Sequence, residues 1–117
     1  MFHSALCANF GGDDEWYGYA PIKHRSTRGP GSVHRDDRSA FINHEITFIV
    51  DDTVLRSGID RACVEYRGTT YTVTIHDCVS FTAQVARNIG LSVTRGNLTP
   101  YGFILSLAAY NSYEMFK

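Results

Sequence analysis

Residues 70–91 read Thr70-Tyr-Thr-Val-Thr-Ile-His-Asp-Cys-Val-Ser-Phe-Thr-Ala-Gln-Val-Ala-Arg-Asn-Ile-Gly-Leu91, and a change of period inside this stretch decides the fold. Tyr71, Val73 and Ile75 alternate with Thr70, Thr72 and Thr74. A period of two in β-branched and aromatic residues predicts a half-buried strand. Cys78, Phe81, Val85 and Ile89 then recur at helical spacing, and Gly90 supplies the stop. Cys78 therefore stands in the first turn of a helix, where unpaired N–H groups and the positive dipole end gather. Such a setting lowers a thiol's pKa and makes it a nucleophile. It equally suits a core thiol, since free cysteine is among the most buried residue types. On the residues alone both readings of Cys78 stay open.

Upstream, Asp51-Asp52-Thr53 caps a helix whose Leu55, Ile59, Ala62 and Tyr66 form an apolar stripe, ended by Arg67-Gly68. Gly58 within it costs about 1 kcal/mol relative to Ala. Residues 45–50 predict a strand. Residues 2–9 predict another, with His3, Ala5 and Cys7 on one side. Gly11-Gly12 marks a turn, and residues 15–21 return as a strand ended by Pro21, completing a hairpin. Its register sets His3 across from Tyr19 to Pro21 and leaves Glu15 near the tip. Residues 22–44 hold no sustained period and read as a long exposed loop carrying four arginines, His24 and His34. Loops of that length are functional or mobile. Its basic side chains read as a solvated surface or as a lip that receives carboxylates. Downstream, residues 92–98 read as a loop and Thr99-Pro100 as a helix start, with Phe103, Leu107 and Tyr110 on one side.

The order is β-β-(long loop)-β-α-β-α-α: one α+β domain over residues 1–117, with a small, mainly antiparallel sheet and about three helices. At 44% hydrophobic residues and 117 residues, the chain can bury a core without staples. Its net charge of −1 gives no basic field for nucleic acid. No apolar run approaches the ~20 residues that cross a bilayer, and no signal peptide is visible. Three cysteines without paired spacing predict neither a disulfide framework nor zinc, so no cofactor or metal is expected. Cys7 and Cys63 read as core thiols. His24, His34 and His44 match no metal-ligand pattern.

A cysteine hydrolase needs a base for its thiol and a group that orients the base. His24 and His34 lie in the loop and lack a fixed scaffold. His76 is near Cys78 in sequence, but local geometry turns it away. His3, on a strand among small apolar residues, is the best-held imidazole.

Three segments carry a resemblance. Residues 3–21 contain His3-Ser-Ala-Leu-Cys7 and Tyr17-Gly-Tyr-Ala-Pro21; residues 29–36 read Gly-Pro-Gly-Ser-Val-His-Arg-Asp; residues 71–91 contain Tyr71, Asp77-Cys78, Phe81 and Gly90-Leu91. Together they resemble the circularly permuted papain-like, NlpC-like cysteine peptidases and amidases, and Thr99-Pro100 with Ser106-Leu107 resembles that superfamily's last helix. The resemblance implies a permuted papain-like fold with Cys78 as nucleophile and His3 as general base. Tyr19, on the hairpin register, becomes the orienting third residue, with Glu15 the next choice. The backbone N–H of Cys78 would enter an oxyanion hole. Asp77 stands where that superfamily has Asn, and Phe2 where it has Gly.

The implied activity is a thiol amidase or peptidase acting on a peptide, and in the bacterial branch on peptidoglycan. That branch also implies an effector delivered by a specialised secretion machine and blocked by an inhibitor or immunity protein. An isopeptidase or acyltransferase acting on proteins or lipids is an alternative within the same chemistry. A catalytically inactive binding module is an alternative outside it.

Overall fold

The computed structural model describes residues 3–94 and 99–117. Phe2 of the first expected strand and residues 95–98 of the expected loop lie outside that range. The protein is α+β: among the described residues, three helices pack with a four-stranded antiparallel sheet of order β1-β2-β3-β5.

Strands β1 (Ala5–Phe10) and β2 (Asp13–Pro21) form the expected hairpin, pairing Ala5 with Gly18 and Phe10 with Asp13. Gly11 and Gly12 have φ of 62° and 99°, the two positive values that a tight hairpin turn demands. Strand β3 (Arg28–His34) pairs Gly18 with His34 and Pro21 with Gly31. It runs through the middle of residues 22–44, so the expected long loop is corrected to two short connections around a strand. Gly29, Pro30 and Gly31 hid it, because none of the three favours a strand.

Alternation puts Tyr17, Tyr19 and Val33 on one face of the sheet with Leu6, Ala8 and Phe10 of β1. Helix α1 (Asp52–Tyr66) covers that face with Ile59, Ala62, Cys63 and Tyr66, much as its stripe predicts. Asp51 caps it by accepting the N–H groups of Thr53 and Val54 at 3.1 Å. Gly58 is where α1 meets the end of helix α2 (Cys78–Asn88). A Cβ there would fall 2.6 Å from Ile89 Cγ2, and Asn88 Nδ2 donates to Gly58 O at 2.9 Å. Close helix approach thus explains a residue that weakens the helix in isolation.

Strand β5 (Thr70–Thr72) is shorter than its period predicts. After Thr72 the chain turns back on itself: His76 and Ile75 both donate to Thr72 O, and Thr74 has φ of 71°. Val73 and Ile75 are exposed. The alternation continued in sequence but not in space, because Asp77 Oδ2 accepts the Thr74 N–H at 2.9 Å and fixes a turn. The expected strand over 45–50 likewise contracts to β4 (Ile46–Thr47), paired with β6 (Met115–Phe116). Helix α3 (Pro100–Tyr110) begins at Thr99 as expected and buries Phe103 and Leu107, whereas Tyr110 is exposed. Cys63 is buried, but Cys7 is exposed, correcting its assignment to the core.

Gly31 gives the fold a direct test. A Cβ at this position would overlap the ring and hydroxyl of Tyr19, which is fully buried. Gly31→Ala is expected to destabilise the protein by about 1–3 kcal/mol, as overpacking does. Urea denaturation measures this; an unchanged midpoint would mean that Tyr19 is not locked in the core.

Candidate active site

Cys78 opens α2, and its thiol is nearly inaccessible at 6% exposure. Asp77 caps the helix: its Oδ1 accepts the Ser80 N–H at 3.0 Å, and Ser80 Oγ accepts the Asp77 N–H at 2.8 Å. This reciprocal cap accounts for an acid in the position where the resemblance has Asn. Backbone N–H groups of Ser4, Val79 and Cys78 itself face the sulfur. The Tyr71 hydroxyl also meets the Cys78 N–H, and burial pushes that phenol's pKa up to about 12. The expected depression of the thiol pKa does not occur. Burial, the largest influence, raises it, Asp77 adds to the rise, and the N–H groups offset only part.

Ser4 is tied to α2 by its Oγ, 2.8 Å from Thr82 Oγ1. Ser4 directly precedes β1, the edge strand of the sheet, and its N–H faces the sulfur. The thiol therefore sits beside that edge. His3 is one residue away along the chain. Its ring hangs over the opposite face from Tyr17 and Tyr19, above Gly18. A Cβ at Gly18 would lie 3.2 Å from His3 Nε2 and 2.5 Å from His34 Nε2, so the missing side chain is the space in which the two imidazoles meet. Their ring centroids are 5.2 Å apart, stacked with 29° between planes.

Neither Nε2 has a hydrogen-bond partner, so neither is bonded to the Cys78 thiol. Burial lowers the His3 pKa to about 4, aided by His34 and Arg38 and opposed by Asp36. Burial also lowers His34, against Asp36 and with Arg38. Asp36 approaches His34 Nδ1 with its amide at 3.4 Å and its carboxylate at 3.6 Å.

Of the residues expected in the site, the structure brings Cys78 and His3 to one end of the sheet and places Tyr19 elsewhere. Tyr19 Oη bonds Thr69 Oγ1 at 2.8 Å on the helix-covered face, away from the His3 ring. Its expected orienting role is corrected, because odd and even residues of β2 point to opposite faces. Glu15 is committed to Arg56 at 2.8 Å and to Tyr17 Oη at 2.7 Å. His76 stacks on Tyr66 with centroids 4.1 Å apart, turned from the thiol as expected. His44 lies against Tyr101.

Two residues escaped the sequence reading. His34 was set aside as loop-borne, yet β3 holds it rigidly beside Gly18. Tyr71 was read as a strand residue and as part of the resemblance, but was given no role in the site. The Val-His pair after Pro-Gly and the Gly between two tyrosines were the available signals. Among the described residues no group of three or more His, Cys, Asp or Glu side chains is placed to hold a metal, and no helix is long and apolar enough to cross a membrane.

A scan against protein-family models returns no match for the chain, and neither do comparisons with curated proteins and with solved structures.

Two tests follow from this geometry. Tyr19→Phe is expected to cost about 1 kcal/mol of stability, the worth of one hydrogen bond, and to leave Cys78 reactivity toward iodoacetamide unchanged. A changed alkylation rate would return Tyr19 to the site. His3 takes up its second proton in the folded chain only near pH 4, whereas the unfolded group titrates near 6.5. Its contribution to stability is therefore complete above about 6.5 and lost as pH falls toward 4, and His34 acts in the same direction. The thermal midpoint should drop over this window less steeply in His3→Asn than in the wild type. Parallel slopes would exclude a buried neutral His3.

Proposed function

We propose that the protein is a thiol amidase or peptidase with Cys78 as nucleophile and His3 as general base. One observation carries this reading: a buried thiol ringed by N–H donors, among them that of Ser4, lies one residue from His3, which stacks with His34 in a half-buried, uncharged imidazole pair. The resemblance of residues 3–36 and 71–91 to permuted papain-like hydrolases agrees with it.

His3 Nε2 is enclosed with His34 over Gly18, so Nδ1 is the nitrogen left to serve the thiol. His34 takes the orienting role first sought in Tyr19. At rest His34 Nδ1 accepts the Asp36 amide N–H at 3.4 Å; when the Asp36 carboxylate takes that place and accepts an Nδ1–H instead, the Nε2 lone pair of His34 is free to accept Nε2–H of His3. That tautomer leaves the Nδ1 lone pair of His3 as the base. With the thiol pKa raised and the His3 pKa near 4, the resting proton stays on sulfur. Proton transfer to His3 then accompanies attack rather than preceding it.

In the reaction, Cys78 Sγ bonds to the amide carbonyl carbon and its proton moves to His3. The resulting oxyanion is received by N–H groups at the start of α2, with Tyr71 Oη beside them. His3 returns the proton to the leaving amine as the C–N bond breaks, giving a thioester. Water, deprotonated by His3, attacks the thioester; the acid departs and the thiol is restored. The resemblance points to a cell-wall peptide as substrate, to delivery by a specialised secretion machine, and to an inhibitor protein as partner. A second reading, a catalytically silent binding module, is favoured by the raised thiol pKa and by the unbonded Nε2 atoms.

Purified peptidoglycan tests both readings. Wild-type protein is expected to release muropeptides with new amino groups, Cys78→Ala to release none, and His3→Ala to act about 10²–10⁴-fold more slowly. No product from the wild type over a broad pH range would remove the cell-wall assignment. If Cys78 also reacts with iodoacetamide no faster than a free thiol, and His3→Ala changes nothing, the binding module stands instead.

A further inference from the structure

Buried side-chain nitrogen or oxygen atoms without a hydrogen-bond partner are three among the described residues: His3 Nε2, His34 Nε2 and Arg38 Nε. All three belong to one cluster, since Asp36 Oδ2 lies between Arg38 and His34, and His34 stacks on His3. Scattered unsatisfied atoms are ordinary, but each costs about 1–3 kcal/mol, and a concentration of nitrogens without an oxygen marks a missing acceptor. Asp36 does not supply it. Its Oδ2 lies 3.5 Å from Arg38 Nη2 and 3.6 Å from His34 Nδ1, both beyond the roughly 2.7–2.9 Å of a charge-assisted hydrogen bond. One carboxylate is thus divided between two claimants and fully engages neither. Arg38 is only partly exposed and its Nε is enclosed, so its Nε–H and Nη–H edge receives a carboxylate side-on once the guanidinium turns outward.

We infer that Arg38 binds a carboxylate carried by the substrate, and that its occupation releases Asp36 to His34. A singly charged anion fits better than a phosphate dianion, because one negative charge balances Arg38 while the nearby Asp36 repels a second. With the ligand seated, Arg38 Nε–H has its acceptor, and the Asp36 carboxylate replaces the Asp36 amide at His34 Nδ1, whose proton moves there from Nε2. The imidazoles then share the remaining proton across Gly18. A single binding event closes all three deficits and sets the His3 tautomer that attack requires. Peptides with a free carboxylate near the scissile amide become the preferred substrate class. Assigning the carboxylate to a substrate rests on the thiol-amidase reading; the binding itself does not.

Nitrogen-15 NMR of the full chain, in the wild type and in Cys78→Ala, separates the two. Acetate is expected to shift Arg38 Nε–H saturably and to raise the pKa of both imidazoles, whereas acetamide does neither. Arg38→Gln should weaken acetate binding about tenfold or more, the loss of a charged hydrogen bond. Arg38→Lys, which keeps the charge but not the Nε–H, should not restore it. A short peptide with a free C-terminal carboxylate should bind at least about tenfold more tightly than acetate and than the same peptide amidated. No saturable acetate shift, or an equal shift in Arg38→Gln, overturns the site. Peptide binding no tighter than acetate overturns its assignment to substrate. Because Cys78→Ala cannot turn over, an inactive wild type that binds acetate would fail the enzymatic reading and leave the site intact.

Discussion

The absence of a side chain at Gly18 is the constraint on which the site depends. Tyr17 and Tyr19 flank it and point into the core, where Tyr19 is fully enclosed. Gly18 must then face the other way, and any Cβ there would collide with the His34 ring. The same alternation that anchors the hairpin to α1 therefore opens a slot on the reverse face. Two imidazoles from different strands fill it, one at the start of β1 and one at the end of β3. Neither could be held as firmly by a loop, because the strand pairings of Gly18 to Ala5 and to His34 fix both backbones.

The proposed nucleophile is fixed by different means. Asp77 and Ser80 close the start of α2 reciprocally, and Ser4 couples that turn to the edge of β1 through Thr82. A helix start is expected to acidify its thiol, yet burial overrides this effect at Cys78. The helix dipole acts over the first turn and contributes at most about 2 kcal/mol, whereas enclosure in low dielectric penalises the full anion. The same balance acts on His3, whose proton is disfavoured by burial and by Arg38. Both partners of the proposed dyad are consequently neutral at rest. In this respect the site differs from one built around a preformed thiolate–imidazolium pair, and in the proposed mechanism its proton moves only when the substrate arrives.

The helices were legible because their signals are local. Asp51 and Thr99 announce two starts by side chains that cap backbone donors a few residues away, and the third, capped by Asp77, was legible from the change of period. The stripe of α1 and the glycine after α2 need no knowledge of distant segments. Strands fared worse for the same reason. Thr70 to Ile75 has a strand's period throughout, but its length is set by Asp77 capturing the Thr74 amide. Residues 28–34 hold one strand-forming side chain, Val33, and β3 exists because β2 and β5 pair with it from both sides. In the site, Cys78 and His3 could be chosen from local context and resemblance. The third residue required knowing which face of β2 each side chain occupies, and a hairpin register alone leads to Tyr19 rather than through Gly18 to His34.

Arg38 ties these observations together. As a loop arginine it reads as solvated charge. In the fold it faces two histidines and an aspartate, and its presence disfavours protonation of both imidazoles. A cation beside a general base would ordinarily be a defect, since it makes the base weaker. It becomes useful if its charge is cancelled at the moment of reaction. A carboxylate arriving with the substrate does this and strengthens the base only when there is something to cleave. The two neutral imidazoles, the divided Asp36 and the unpartnered Nε of Arg38 then describe a single resting state, one that substrate binding completes.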